Sequence, residues 1–117
     1  MRGIMSVVIG AVVLGAAGCQ PAPGDRSAER GARLLAQYQC GTCHVIPGVG
    51  AARGQLGPPL QGFGRRAYIA GHLPNSGDML ARWIVDPRSL VPTTAMPAMG
   101  ASEADARDMA AYLLSLK

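Results

Sequence analysis

Aromatic side chains are scarce: one Trp, one Phe and three Tyr in 117 residues. A chain of that length forms one small domain and leaves no room for two independent cores. With so few rings, its single core is thin. Ordering the backbone costs on the order of 1 kcal/mol per residue, so such a domain needs a staple: a disulfide, a metal or a cofactor. Acidic residues are few as well, with seven Asp and Glu against eleven Lys and Arg, for a formal charge of +4. The basic residues stand singly apart from Arg65-Arg66, and no aromatic residues interleave with them, which argues against a nucleic-acid partner. No segment alternates apolar and polar residues as a strand would, and no internal repeat is present. A long apolar run is missing too. The charge-free stretch after Arg2 is apolar only from Ile4 to Ala17, short of the roughly 20 residues that cross a bilayer.

One positive charge, a short apolar run and the small residues Ala16-Ala17-Gly18 read as a secretory signal over residues 1–18. Leu14-Gly15-Ala16-Ala17-Gly18-Cys19 also resembles a bacterial lipoprotein signal, in which Cys19 becomes the acylated first residue. Ala16 stands where that pattern more often has Leu. Ordinary cleavage, or retention of the segment as an anchor, are the other outcomes. Residues 19–24 form a Pro-rich tether unable to continue a helix, and residues 25–117 are left for the folded domain. More than one acyl chain on Cys19 gives firm anchoring. The expected location is the periplasmic side of a bacterial inner membrane, with attachment through lipidated Cys19 or the N-terminal segment.

The remaining pattern is helical. Asp25 or Ser27 can cap a first helix running to about Gln39, with Gly31, Leu34, Leu35 and Tyr38 on neighbouring positions. A Gly- and Pro-rich middle from Val45 to Gly64 reads as loop, and a short helix is expected at Tyr68 to Gly71. Ser76 or Asp78 then caps a helix that buries Met79, Leu80, Trp83 and Ile84 and stops at Pro87. After a loop from Ser89 to Met99, Ser102 caps a last helix with Ala106, Met109, Ala110 and Leu113 on one side. The expectation is an all-α domain whose long loops wrap around something apolar.

Cys40-Gly41-Thr42-Cys43-His44 supplies that object. C-x-x-C-H is the pattern of c-type haem attachment: two thiols on one turn reach the two vinyl groups of a porphyrin, and the next residue offers an imidazole to the iron. Other readings are weaker. A thioredoxin-like dithiol belongs in a βαβ setting, a zinc site would find only Cys19 and His72 as further soft ligands, and a Cys40–Cys43 disulfide would close a very short loop.

With these residues in view, the chain resembles a class I mono-haem c-type cytochrome from about Asp25 to Lys117. The likeness rests on Gly31 and Tyr38 before the haem motif, Gly57-Pro58-Pro59-Leu60 after it, then Trp83-Ile84 with Pro87, Met96-Pro97 and Tyr112-Leu113. It is particularly similar to the cytochrome c domain fused to subunit II of bacterial haem-copper oxidases, on Arg65-Arg66, Leu73-Pro74-Asn75 and Trp83-Ile84-Val85-Asp86-Pro87. The resemblance implies the cytochrome c fold, about three to five helices around one covalent haem c. It also implies a carbonyl of Pro58 accepting from the second ring nitrogen of His44. Arg65 or Arg66 would sit on a haem propionate, the Trp83 indole would donate to a propionate, and Gly31 would let the first helix approach the last near Tyr112.

The sixth iron ligand has several candidates: Met79, Met96, Met99, Met109 and His72. Met79 and Met109 lie on apolar helical faces and read as core fillers. Met96, in a Pro-stiffened loop, is where the family pattern has its ligand. Filled axial positions on His44 and Met96 would make the protein an electron carrier and not an enzyme. The expected partners are membrane respiratory complexes, a terminal oxidase or a quinol-cytochrome c reductase, with the protein a carrier or a small subunit. A labile or open sixth position would instead suit a haem-based gas sensor or a peroxide-reducing enzyme.

Overall fold

The structure is a computed structural model and describes Gly15 and residues 18–117. The expected signal over residues 1–18 therefore lies almost wholly outside the described residues. Among those described are four α-helices: α1 Pro23–Gln37, α2 Gly77–Val85, α3 Pro87–Leu90 and α4 Glu103–Ser115, with 3-10 turns at Cys40–Thr42 and Phe63–Arg65. This is the all-α architecture expected from the sequence. No helix among the described residues is long and apolar enough to cross a membrane.

The first and last helices form the main packing pair, and α2 packs against α4 from another side. Gly31 makes the first contact possible: a Cβ there would stand 1.9 Å from the carbonyl oxygen of Asp108. Arg30 ties the same two helices by ion pairs to Asp105 and Asp108, and the Tyr38 hydroxyl donates to Asp105 at 2.7 Å. The core between them holds Leu34, Leu35, Leu80, Ala106, Met109 and Leu113. Each large side chain buried there contributes about 1.5–3 kcal/mol. No charged or polar side chain is buried with them among the described residues.

Four local features differ from the sequence reading. Helix α1 starts at Pro23, with Ala22 at the N-cap and no side-chain cap, so it takes in Pro23 and Gly24 from the expected tether; a proline in the first turn lacks only a donor that would be unpaired anyway. It also ends at Gln37, because the chain turns through a left-handed Gln39 (φ 61°) into the Cys40–Thr42 turn. In place of a helix at Tyr68 to Gly71 there is a hairpin, β1 Tyr68–Ile69 antiparallel to β2 Leu73–Pro74. Positive φ at Ala70 and Gly71 turns the chain back there, which no right-handed helix allows. Finally, Pro87 does not simply end α2. It opens α3, with the Asp86 carboxylate accepting from the Ser89 N–H.

Ser76 caps α2 and Ser102 caps α4, each hydroxyl accepting from a first-turn N–H. These caps fix where two walls of the site begin.

Candidate functional site

A cavity of about 1070 Å³ opens between the Cys43–Leu60 loop, the hairpin, α2 and the Thr94–Pro97 loop. Its lining is mostly apolar, with Leu60, Phe63, Ile69, Leu80, Trp83 and Ile84 forming its depth. Leu56 and Tyr68 stand at its mouth and are exposed, Leu56 by 88%. An apolar space of this size with a few convergent polar atoms is the form of a cofactor site.

The polar atoms enter from three sides. Cys43 and His44 lie on one wall, presented by the 3-10 turn Cys40–Thr42, where the N–H groups of Cys43 and His44 both donate to the Cys40 carbonyl. Cys40, Cys43 and Cys19 are all unpaired. Cys40 is half-buried against the core, and that burial pushes its thiol pKa up. The His44 ring donates from Nδ1 to the carbonyl of Pro58 at 2.6 Å. Because a carbonyl only accepts, this bond places the proton on Nδ1 and leaves Nε2 with a free lone pair. Gly57 lies against the ring: a Cβ there would come within 2.5 Å of it. Met96 also lines the cavity and is half-buried, its backbone N–H donating to the Thr94 hydroxyl at 3.2 Å.

The other ligand candidates are elsewhere. Met99 is 44% exposed and does not line the cavity, Met79 and Met109 pack in or against the core, and His72 is exposed at the hairpin, its ring donating to Ala70 O at 3.2 Å. Trp83 is buried and contributes to the lining. Of the arginine pair it is Arg66 that lines the cavity, while Arg65 is exposed and lies along Gly62. Arg66 donates to the carbonyls of Pro59 and Gln61 and lies over the Phe63 ring, 5.3 Å from its centroid. Arg65 is the last residue of the Phe63–Arg65 turn, and the chain leaves it at Arg66 in an extended conformation.

Other residues brace the site from outside the cavity lining. The Tyr112 hydroxyl donates to the carbonyl of Pro47 at 2.5 Å and so ties α4 to the loop that follows His44. Gly64 donates to the carbonyl of Leu116 at 2.7 Å, and its own carbonyl accepts from Lys117 Nζ at 3.0 Å.

Residues 28–117 match the cytochrome c family. The chain belongs to the cytochrome c family. Its cofactor is therefore a covalently bound haem c, and it is a haem protein of electron transfer, as the C-x-x-C-H reading expected. The residues fit that group: a large apolar cavity, a thiol pair on one turn, and an imidazole whose free nitrogen is set by its partner. Cytochrome c oxidase subunit 2 of Alkalihalophilus pseudofirmus is 40% identical over 96 residues, covering 81% of this cytochrome and 27% of that protein. This cytochrome thus spans about a quarter of the relative's length. No solved structure matches it.

Proposed function

We propose that this cytochrome is a one-electron carrier that delivers electrons to a respiratory terminal oxidase, either as a free carrier or as a small subunit. Its likeness to an oxidase subunit carries the choice of acceptor. Haem supplies the couple of its iron, ferric to ferrous, when bound. Cys40 and Cys43 hold the group by thioether bonds. His44 would offer Nε2 to the iron, its tautomer set by the Pro58 carbonyl. Met96, on the same cavity, would offer its thioether sulfur as the second protein ligand, and the Thr94 hydroxyl holds the backbone that carries it. Arg66, which lines the cavity, would serve a haem propionate in place of Arg65, which does not. The apolar depth with Trp83 excludes water and so favours the less charged ferrous state.

The observation that carries this reading is the convergence of His44 and Met96 on one cavity while Met99 and His72 stay outside its lining. Electronic spectra of the holoprotein test it. Met96→Ala is expected to remove the weak sulfur-to-iron charge-transfer band and open the iron to carbon monoxide, whereas Met99→Ala keeps the band. Loss of the band in Met99→Ala, or its persistence in Met96→Ala, would overturn the assignment and revive the sensor or peroxide-reducing reading. Attachment to the periplasmic face of the membrane is supported by the signal-like start and by an exposed Cys19 just ahead of α1. Mass spectrometry of the mature N-terminus tests it: an acylated Cys19 is expected, and a free one would refute lipidation.

A further inference from the structure

Among the described residues, one buried side-chain polar atom has no hydrogen-bond partner: Oδ1 of Asn75. The other end of the same amide is fully used. Its Nδ2 donates to the carbonyl of Phe63 at 3.2 Å and to that of Arg66 at 3.0 Å, and the Asn75 backbone N–H donates to Ala67 O at 3.0 Å. Turning the amide over would set Oδ1 against two carbonyl oxygens, so the acceptors it faces fix its orientation. An acceptor left alone in the interior is unfavourable and calls for a reason. Here the reason is that both amide hydrogens are committed to one turn.

That turn carries Phe63 and Arg66 into the cavity wall. Asn75 does not line the cavity itself, so any influence it has on the site passes through those two residues. It stands just before Ser76, the cap of α2, and thereby links the base of the Arg66 side chain to the helix that supplies Leu80, Trp83 and Ile84. Behind the turn, Gly64 is held by Leu116 and Lys117. The guanidinium therefore projects from a backbone pinned on two sides.

We infer that Asn75 is a positioning residue for the haem: by tying the carbonyls of Phe63 and Arg66 to the start of α2, it holds the Arg66 guanidinium at the cavity and sets how strongly that charge acts on the iron. This rests on the reading above that Arg66 faces the haem. A residue that only stabilised the fold would leave the electrostatic effect of Arg66 unchanged.

The test is a double-mutant cycle on the midpoint potential of the holoprotein. Removing a positive charge near the iron disfavours the more electron-rich ferrous state, so Arg66→Gln lowers the potential. In an Asn75→Leu background the same substitution is expected to produce a shift smaller by roughly half or more, because the two residues act as one unit. Equal shifts in both backgrounds would overturn the positioning role while leaving Arg66 its place at the haem. No shift from Arg66→Gln in the wild-type background would overturn the Arg66 reading and this inference with it. If Asn75→Leu does not load haem, Asn75→Ser carries the same comparison. Its hydroxyl can donate to one of the two carbonyls at most, so in that background Arg66→Gln is expected to shift the potential by less than in the wild type, and an equal shift would refute the inference.

Discussion

Gly57 is the position where one added carbon acts most directly on the site. A Cβ at residue 57 would lie 2.5 Å from Cε1, 2.8 Å from Nδ1 and 3.0 Å from Nε2 of His44. Ordinary contact begins at 3.4 Å, so the ring must retreat by about 0.9 Å. The loop has little room to yield instead, because the Gly57 N–H donates to the carbonyl of Cys43 at 2.8 Å. The ring is also tied, by its 2.6 Å bond to Pro58 O, and a retreat of that size takes such a bond to the edge of hydrogen-bonding distance. Overpacking of this kind costs about 1–3 kcal/mol, and the stretched hydrogen bond adds about 0.5–1.5 kcal/mol. Gly57→Ala is therefore expected to lose about 2–4 kcal/mol of holoprotein stability in guanidinium titrations and, with His44 as the proposed ligand, to shift the haem spectrum. Gly50→Ala serves as the control, since nothing lies within 4 Å of a Cβ there. A Gly57→Ala protein with wild-type stability and spectrum would refute both the packing argument and the place of His44 on the iron.

Gly31→Ala drives a methyl group into the Asp108 carbonyl at 1.9 Å and is expected to cost about 3 kcal/mol or more in denaturant unfolding; a loss below about 1 kcal/mol would mean that α1 can slide on α4. Met109→Ala empties a site that is 0% exposed, with an expected loss of about 2–5 kcal/mol in the same assay and an unchanged spectrum. The Asp105 carboxyl is held below its ordinary value of 3.8, first by the Tyr38 hydroxyl and then by Arg30. A depressed folded pKa gives stability that is present above the unfolded value and lost as pH falls through the folded one. Stability should thus decline below about pH 4, and Asp105→Asn should make that acid-side decline shallower; an unchanged slope in unfolding measured from pH 5 downward would count against the clamp.

Much of the site was legible because it depends on chemistry confined to a few adjacent residues. Cys40, Cys43 and His44 announce their cofactor by spacing, and Ser76 and Ser102 announce their helices by hydroxyl chemistry. The misreadings share a different cause. Strands of two residues, Tyr68–Ile69 and Leu73–Pro74, are too short to express alternation, so the hairpin resembled a helical turn. Pro23 and Pro87 both looked like breaks in a helix, yet each sits in the first turn of one. Arg65 and Arg66 are equivalent in sequence, and only the direction in which the chain leaves the turn separates them. Asn75 falls within the stretch that carries the family likeness, but its hydrogen bonds to Phe63 and Arg66 are brought about by tertiary folding and have no local sequence signal.

Gly64 also carries a consequence for the order of assembly. Its two hydrogen bonds are to Leu116 and Lys117, and α1 finds its main partner in α4. A chain emerging from its N-terminus thus presents Cys40, Cys43 and His44 before the residues that brace the Phe63–Arg66 turn exist. A chain cut short before Leu116 would keep Cys40, Cys43 and His44 while losing the brace behind Phe63 and Arg66.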